Sequence, residues 1–425
     1  MPTRVAIIGG GYAGLAAGVA LAERGIAATV YEAAATLGGR ARRITYHGEL
    51  LDNGQHIFLG AYHTLRELIE VVAPTRDTFM RTRLRLAVHE QLAIQSWPLP
   101  APLNIVLGFM TASGLCWRER LAALRFLARM KAHAPPPDAT VDTWLAANSQ
   151  SARLAHLFWR PLCAAALNTP PALASASLFR STLLAAFAGT ARDSDLLFSR
   201  YDLSALFPEP AARYIAERGG EIRSATPVRE IVKTGNEFTI VTASSRESYS
   251  NVICAVAPRQ AQHLLHFDAL VAFNRFIERV RFEPIYTVHL KYAEIARLSF
   301  PMVGLSGGLT QWVFDRAMLG FDGAQIACVI SASGPHQALD RAALLHSVIR
   351  ELRQAFGFGD PIWSKLVIEK QATFSATPGL ERPPQKTELA GFYLAGDYTA
   401  SPYPATLEAA VASGRLCAEH IARAE

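Results

Sequence analysis

The five cysteines among the 425 residues, Cys116, Cys163, Cys254, Cys328 and Cys417, stand too far apart for a CxxC pair, a zinc ligand set or a disulfide framework. Their spacing excludes a thiolate-held metal or a disulfide scaffold and fits a reducing cytoplasm. No charged-then-apolar leader is read either, because the first apolar run, Val5 to Ile8, breaks straight into glycines. A cytoplasmic protein is expected. Charge is scarce, at 18% of residues against 50% hydrophobic, which excludes disorder and fits a globular enzyme with oily surfaces. The net charge of +6 is not gathered into a Lys/Arg block or an aromatic-basic array, so nucleic acid is not an expected partner. An anionic membrane or an acidic ligand stays open.

Between Gln91 and Trp117 no residue is charged at all. Pro98, Pro100 and Pro102 break its first half, and the remaining apolar segment, Leu103 to Trp117, is too short to cross a bilayer even as one continuous helix. Arg118 to Lys131 follows, with Leu121, Leu124 and Leu127 set among Arg120, Arg125, Arg129 and Lys131, the layout of a basic amphipathic helix. Two readings satisfy this pattern: a peripheral contact with the inner membrane, or a buried helix hairpin with a solvated basic face.

What is present begins with a βαβ unit: a strand at Arg4–Ile8, a helix from Tyr12 to Gly25 and a second strand at Ala27–Tyr31. Gly9-Gly-Gly11-Tyr12-Ala13-Gly14 matches GxGxxG in that context. Gly9 permits the tight turn, Gly11 lets backbone approach a pyrophosphate, Gly14 allows helix to pack on strand, and the helix N-terminus supplies N–H donors. Glu32 ends the second strand where a carboxylate receives ribose hydroxyls. FAD rather than NAD is expected, because Leu37-Gly38-Gly39-Arg40-Ala-Arg42 offers flexible backbone and guanidinium groups to a diphosphate. Near the other end, Phe392-Tyr-Leu-Ala-Gly396-Asp397 reads as a strand ending in Gly-Asp, before a helix from about Ala405 and Thr406. Asp397 suits the ribityl chain, and the helix N-terminus suits the electron-rich edge of the flavin ring.

Helical patterns also cover about Val141 to Trp159, Ala172 to Thr190, Pro208 to Arg218 and His336 to Phe356; strand patterns cover Glu221 to Thr242, Val252 to Val256, Ile285 to Tyr292 and Leu366 to Phe374. At this length two intertwined domains are expected.

The three cofactor motifs, in this order, resemble the flavin amine oxidase and phytoene desaturase superfamily, with Val228 and Val252-Ile-Cys-Ala-Val-Ala-Pro258 matching its middle pieces. The resemblance implies an α/β architecture: a Rossmann-type FAD-binding domain from residues 1–60, 208–260 and 388–425. A mixed α+β substrate domain, 61–207 and 261–387, is inserted into it, with a helical apolar part at about 91–190. More narrowly, Leu51-Asp52-Asn53-Gly54-Gln55-His56-Ile-Phe-Leu-Gly-Ala-Tyr62, Phe158-Trp-Arg-Pro-Leu162, Ala166-Leu-Asn-Thr169 and Leu206-Phe-Pro-Glu-Pro-Ala-Ala212 look like the squalene-associated FAD-dependent desaturases, a family understood as hydroxysqualene dehydroxylases of hopanoid synthesis.

That resemblance implies loss of a protonated allylic hydroxyl and quenching of the resulting cation by reduced flavin. Such a site needs a proton donor, an apolar tunnel and aromatic faces near the developing charge. His56 is the expected donor, or else a structural histidine in a turn; Gly54, Gln55 and His56 are also placed beside the flavin. Asp52 either orients His56, binds cofactor or stabilises the turn. Tyr398 and Tyr403 are expected to flank the flavin or simply to pack, and Phe158 and Trp159 to line the tunnel or belong to the core. The implied partners are a long-chain isoprenoid and an unidentified flavin reductant. A carotenoid-type desaturase and an amine oxidase share the fold; a non-catalytic prenyl-binding carrier is opposed by the complete set of flavin motifs.

Overall fold

The computed structural model describes residues 3–294, 296–321 and 323–424. Its organising layer is a five-stranded parallel sheet in the order Glu221–Arg223, Ala28–Tyr31, Val5–Ile8, Asn251–Cys254, Phe392–Leu394. Val5–Ile8 is buried along its whole length because helices cover one face, where Val5 and Ile7 pack with Leu15 and Val19, and the three-stranded antiparallel sheet Glu230–Thr234, Glu237–Val241, Arg246–Tyr249 covers the other, where Ala6 and Ile8 share a core with Phe238 and Ile240. Helix Tyr12–Ala22 is buried on every side and crosses helix Leu407–Ala422 at close range. A side chain on Gly414 would overlap the Ala13 carbonyl, so glycine is what lets these helices approach.

A second, mostly antiparallel sheet runs in the order Trp363–Phe374, Phe282–Lys291, Gln325–Ser331, Trp312–Asp315, Met302–Gly304, Arg85–Val88, Leu92–Gln95. Alternation decides its two faces. Val288, Leu290, Ile326 and Cys328 pack with Leu344, Val348 and Leu352 of helix Arg341–Phe356. Trp312, Phe314, Ala327 and Val329 belong to the large core with Phe109, Phe158 and Trp159. That second face meets the parallel-sheet half: Lys291 pairs with Glu49, and His289 Nε2 donates to the Asp52 carbonyl at 2.9 Å.

Several elements differ from expectation for identifiable reasons. The first helix stops at Ala22 and turns through Gly25, whose φ is +73°. Leu103–Trp117 is not one helix: Leu103–Met110 ends, the chain turns, and Trp117–Ala132 begins. Gly114, at φ +80°, packs so tightly on the Gln91 carbonyl that a Cβ would overlap it. The Arg120 guanidinium then satisfies the carbonyls of Met110, Ala112 and Leu115 across the turn. The pattern from Val141 to Trp159 breaks at Ser149, φ +56°, into Val141–Ala147, Ala152–Leu154 and a π-helical turn at Ala155–Trp159. Among the described residues no helix is long and apolar enough to cross a membrane.

Candidate active site

Two glycine turns meet at the carboxyl ends of the parallel strands. Gly9 leaves Val5–Ile8 at φ +110°, a conformation L side chains rarely adopt. A Cβ on Gly14 would overlap the Gly9 carbonyl oxygen, so glycine there is what allows the helix to start so close to the strand. Gly11 N-caps that helix, with no capping side chain and no acid in the first turn; Tyr12 and Ala13 open it. The free N–H groups and the positive end of the helix dipole therefore face an incoming anion. Glu32 accepts from the Gly10 N–H at 2.7 Å and the Ala34 N–H at 2.8 Å, one on each carboxylate oxygen. Each oxygen keeps a further lone pair for a ribose hydroxyl.

The second turn lies against the first. Gly38 donates from its N–H to the Gly10 carbonyl at 2.9 Å, with Gly38 and Gly39 at φ +114° and +62°. Arg40 donates to Asp397 Oδ1 at 2.6 Å and to the Ala372 carbonyl at 2.5 Å, so the folded chain joins two motifs from its opposite ends. Arg42 Nη1 folds back onto the Gly39 carbonyl at 2.5 Å. Asn53 holds the turn from outside, accepting the Arg42 N–H at 3.0 Å and donating to the Arg40 carbonyl. Gly396, φ +150°, donates to Ser413 Oγ at 2.7 Å. Thr406 caps helix Leu407–Ala422 by accepting the Ala409 N–H, with half-buried Ala405 just before it. Val228 lies in the connection between Arg223 and Glu230, against the large core. Contacts thus bring Gly9 to Gly14, Glu32, Gly38 to Arg42 and Asp397 together. These residues suit a dinucleotide: the uncapped helix and the glycine backbone would hold the diphosphate, Glu32 the ribose and Asp397 the ribityl chain.

The four expected catalytic residues do not act as one group. His56 Nδ1 lies 2.9 Å from the Gly54 carbonyl; a carbonyl only accepts, so Nδ1 carries the hydrogen. Burial, with Arg40 adding to it, lowers the imidazole pKa, so the neutral ring prevails and Nε2 is a bare acceptor. Asp52 does not orient His56. Its Oδ1 accepts the Leu203 N–H at 2.8 Å, and its Oδ2 lies 3.3 Å from Arg316 Nη1. Burial raises the Asp52 carboxyl to about 6 although Arg316 opposes the rise. Tyr398 is buried against Phe276, ring centroids 5.8 Å apart, and burial raises its phenol far above the usual range. Tyr403 is half-buried; burial and then Glu408 raise its phenol too. Trp159 belongs to the core, its indole N–H donating to Gln150 Oε1 at 2.8 Å, while Phe158 faces an apolar crevice.

Several residues around His56 escaped the sequence reading. Arg316 is fully buried on Asp52, Gln55 Oε1 at 3.0 Å, Gln325 Oε1 at 3.2 Å and the face of Phe321. His289 is neutral, its pKa pushed down to about 3 by burial and then by Arg316. The Thr287 hydroxyl stands 3.9 Å from where a Cβ on Gly54 would be, and the His56 ring 3.5 Å from the same point. Thr287 Oγ1 has no hydrogen-bond partner among the described residues. In sequence Thr287 and His289 sit in a strand pattern and Arg316 just past the strand Trp312–Asp315, and none of the three carries a motif.

A family model described as flavin-containing amine oxidoreductase matches residues 12–422. The chain belongs to this family. As a member it is an FAD-dependent oxidoreductase. Among curated proteins it is similar to a hydroxysqualene dehydroxylase of Sinorhizobium fredii, 28% identical over 99% of this chain and 98% of that one. A zeta-carotene desaturase of Arabidopsis thaliana is 24% identical over 98% of this chain and 85% of its own. Among solved structures, a cyclohexylamine oxidase from Brevibacterium oxydans superposes with a TM-score of 0.73 at 18% identity, covering 100% of this chain and 99% of that one, a likeness of fold.

Proposed function

We propose that this oxidoreductase acts on a long-chain isoprenoid and reductively removes the hydroxyl of hydroxysqualene, giving squalene and water, a step toward hopanoids. The observation that carries the reading is end-to-end similarity to hydroxysqualene dehydroxylases, which spans 97–99% of this chain. FAD, when bound and reduced, supplies the electron pair and hydrogen that replace the departing oxygen. His56 does the acid work: neutral, its Nε2 accepts the substrate hydroxyl and fixes it; as imidazolium, it donates a proton to the same oxygen, and water leaves. Arg316 and Gln55 set the turn that carries His56.

Substrate of this kind resides in membranes, and the surface around the two helices suits an anionic bilayer. Trp97, Leu103, Trp117 and Leu121 are exposed, as are Arg118, Arg125, Arg129 and Lys131. From residue 91 to residue 137 the sole acid is Glu119, which is buried. Peripheral attachment there is the proposed route of substrate entry.

The test is anaerobic. Reduced, FAD-loaded protein is mixed with hydroxysqualene while flavin absorbance is followed and products are identified by mass spectrometry. Flavin reoxidation matched by squalene is the expected result. Reduced flavin that persists without squalene overturns the assignment. Similarity to carotene desaturases supports a second reading, in which oxidised enzyme removes hydrogen from a polyene; flavin bleaching with a polyene would favour it.

A further inference from the structure

Strand Phe282–Lys291 turns Thr287 toward the turn that carries His56. On that face of the sheet its neighbours across the ladder are Val329 and Val367, and along its own strand Ile285 and His289. The side chain is 1% exposed, and its hydroxyl has no hydrogen-bond partner among the described residues. A buried hydroxyl left unpaired is destabilising, and valine has nearly the same shape without that cost. For the fold alone, valine is the better residue at this position.

The hydroxyl faces the space before Gly54. Apart from the glycine and its two chain neighbours, no atom comes within 3.5 Å of the point where a Cβ would stand, and the His56 ring and the Thr287 hydroxyl are the groups nearest to it. The backbone of Gly54 lies outside the left-handed region and a Cβ would meet only ordinary contacts, so neither strain nor crowding calls for glycine; its effect is to keep this room open. Asn53 ties the same turn to the Arg42 N–H and the Arg40 carbonyl, and Arg40 in turn holds Asp397. The space before Gly54 therefore adjoins the residues that suit the cofactor.

His56 and Thr287 are complementary. With its hydrogen on Nδ1, bonded to the Gly54 carbonyl, His56 presents Nε2 as an acceptor, while Thr287 brings a donor that lacks an acceptor. An alcohol answers both, giving its hydrogen to Nε2 and a lone pair to the Thr287 Oγ–H. A hydrocarbon offers neither, an ammonium group has no lone pair for Thr287, and a carboxylate has no hydrogen for His56. We propose that Thr287 is a specificity-determining residue of this site, its Oγ–H donating to the oxygen of the substrate hydroxyl that His56 Nε2 also holds. The proposal rests on the isoprenoid-alcohol reading above and names the second group that recognises the alcohol. When His56 is protonated the same oxygen still has two lone pairs, one for the imidazolium and one for Thr287, so Thr287 serves it in both states.

Two measurements on FAD-loaded, full-length protein test this. Thermal unfolding without ligand reports whether the hydroxyl serves the fold: Thr287→Val should melt no lower than wild type, because it removes an unpaired buried group. Equilibrium dialysis of the oxidised protein, in which no dehydroxylation occurs, then compares farnesol with farnesene, which lacks the hydroxyl. Wild type should hold farnesol about tenfold or more tighter than farnesene. Thr287→Val should bind farnesol about three- to tenfold more weakly than wild type, the worth of one neutral hydrogen bond, and farnesene as before. Thr287→Ser keeps the hydroxyl and should restore the affinity for farnesol. A Thr287→Val variant that binds farnesol as wild type does, that melts clearly lower, or whose loss serine does not restore overturns the role of Thr287 and leaves the isoprenoid reading standing. Wild type that binds neither ligand overturns the isoprenoid reading itself, and this proposal with it.

Discussion

Replacing Arg316 by methionine tests whether the polar joint between the two halves carries stability. The side chain has no solvent exposure, and its guanidinium serves Asp52, Gln55 and Gln325 while stacking on Phe321. Methionine roughly keeps the volume and removes the charge, leaving the Asp52 carboxylate buried with only the Leu203 N–H. Stranding one partner of a buried pair costs about 3–5 kcal/mol. The cost should depend on pH with a definite sign. The Asp52 carboxyl is already raised from 3.8 to about 6 in the folded protein, so the folded state binds its proton more tightly than the unfolded chain does. That contribution to stability is complete below pH 3.8 and is lost as pH rises toward 6. Removing Arg316 takes away the group that holds the pKa down, so the variant's window extends to higher pH, at about 1.4 kcal/mol per pKa unit. Urea unfolding followed by intrinsic fluorescence should therefore show a loss of about 3–5 kcal/mol at pH 8 and a clearly smaller one at pH 5. Asp52→Asn should be costly too but with the opposite pH dependence, its loss larger at pH 5 than at pH 8 because only wild type gains from protonating Asp52, and the double variant should lose less than the two singles combined. A loss below about 1 kcal/mol at pH 8, or an equal loss at both pH values, would refute the pairing argument.

Gly14→Ala should lower FAD affinity by about tenfold or more, because its methyl group would displace the Gly9 carbonyl; ultrafiltration of the holoprotein measures the released flavin, and full retention would contradict the close-approach argument. Single-turnover flavin reoxidation by substrate should accelerate as pH falls from 8 to 6, since burial holds the His56 imidazolium fraction low near neutrality. His56→Ala should be slower by about tenfold or more at pH 6 and nearly flat with pH; an unchanged rate removes His56 from the chemistry. Reversing Arg125 and Arg129 to glutamate should weaken flotation with anionic vesicles by at least about thirtyfold, at about 1 kcal/mol per basic residue, and unaltered flotation would count against that surface.

The two glycine turns are legible in the sequence because their requirements are local. A glycine at Gly9 or Gly38 records a backbone conformation, and one at Gly14 records a close approach; each is written in a single residue. Parallel strands buried on both faces likewise announce themselves as unbroken apolar runs, as at Val5–Ile8. The Leu103–Trp117 segment misled for the same reason in reverse: its apolar composition suits a helix, but the Gly114 turn is set by the Gln91 carbonyl, in the turn just before strand Leu92–Gln95.

The surroundings of the catalytic candidates are set by partners far away in the chain. Asp52 looked like a neighbour of His56, yet its carboxylate belongs to Arg316 and Leu203, 264 and 151 residues on. The bond of His56 within its own turn decides which nitrogen is bare, and burial with Arg40 from another turn keeps the ring neutral. Thr287 carries no motif, since what matters about it is which side of a strand it occupies and which strand lies next to it. Alternation along a strand can be read from residue order; the register that lays Val329 beside Thr287 comes from packing whole strands together.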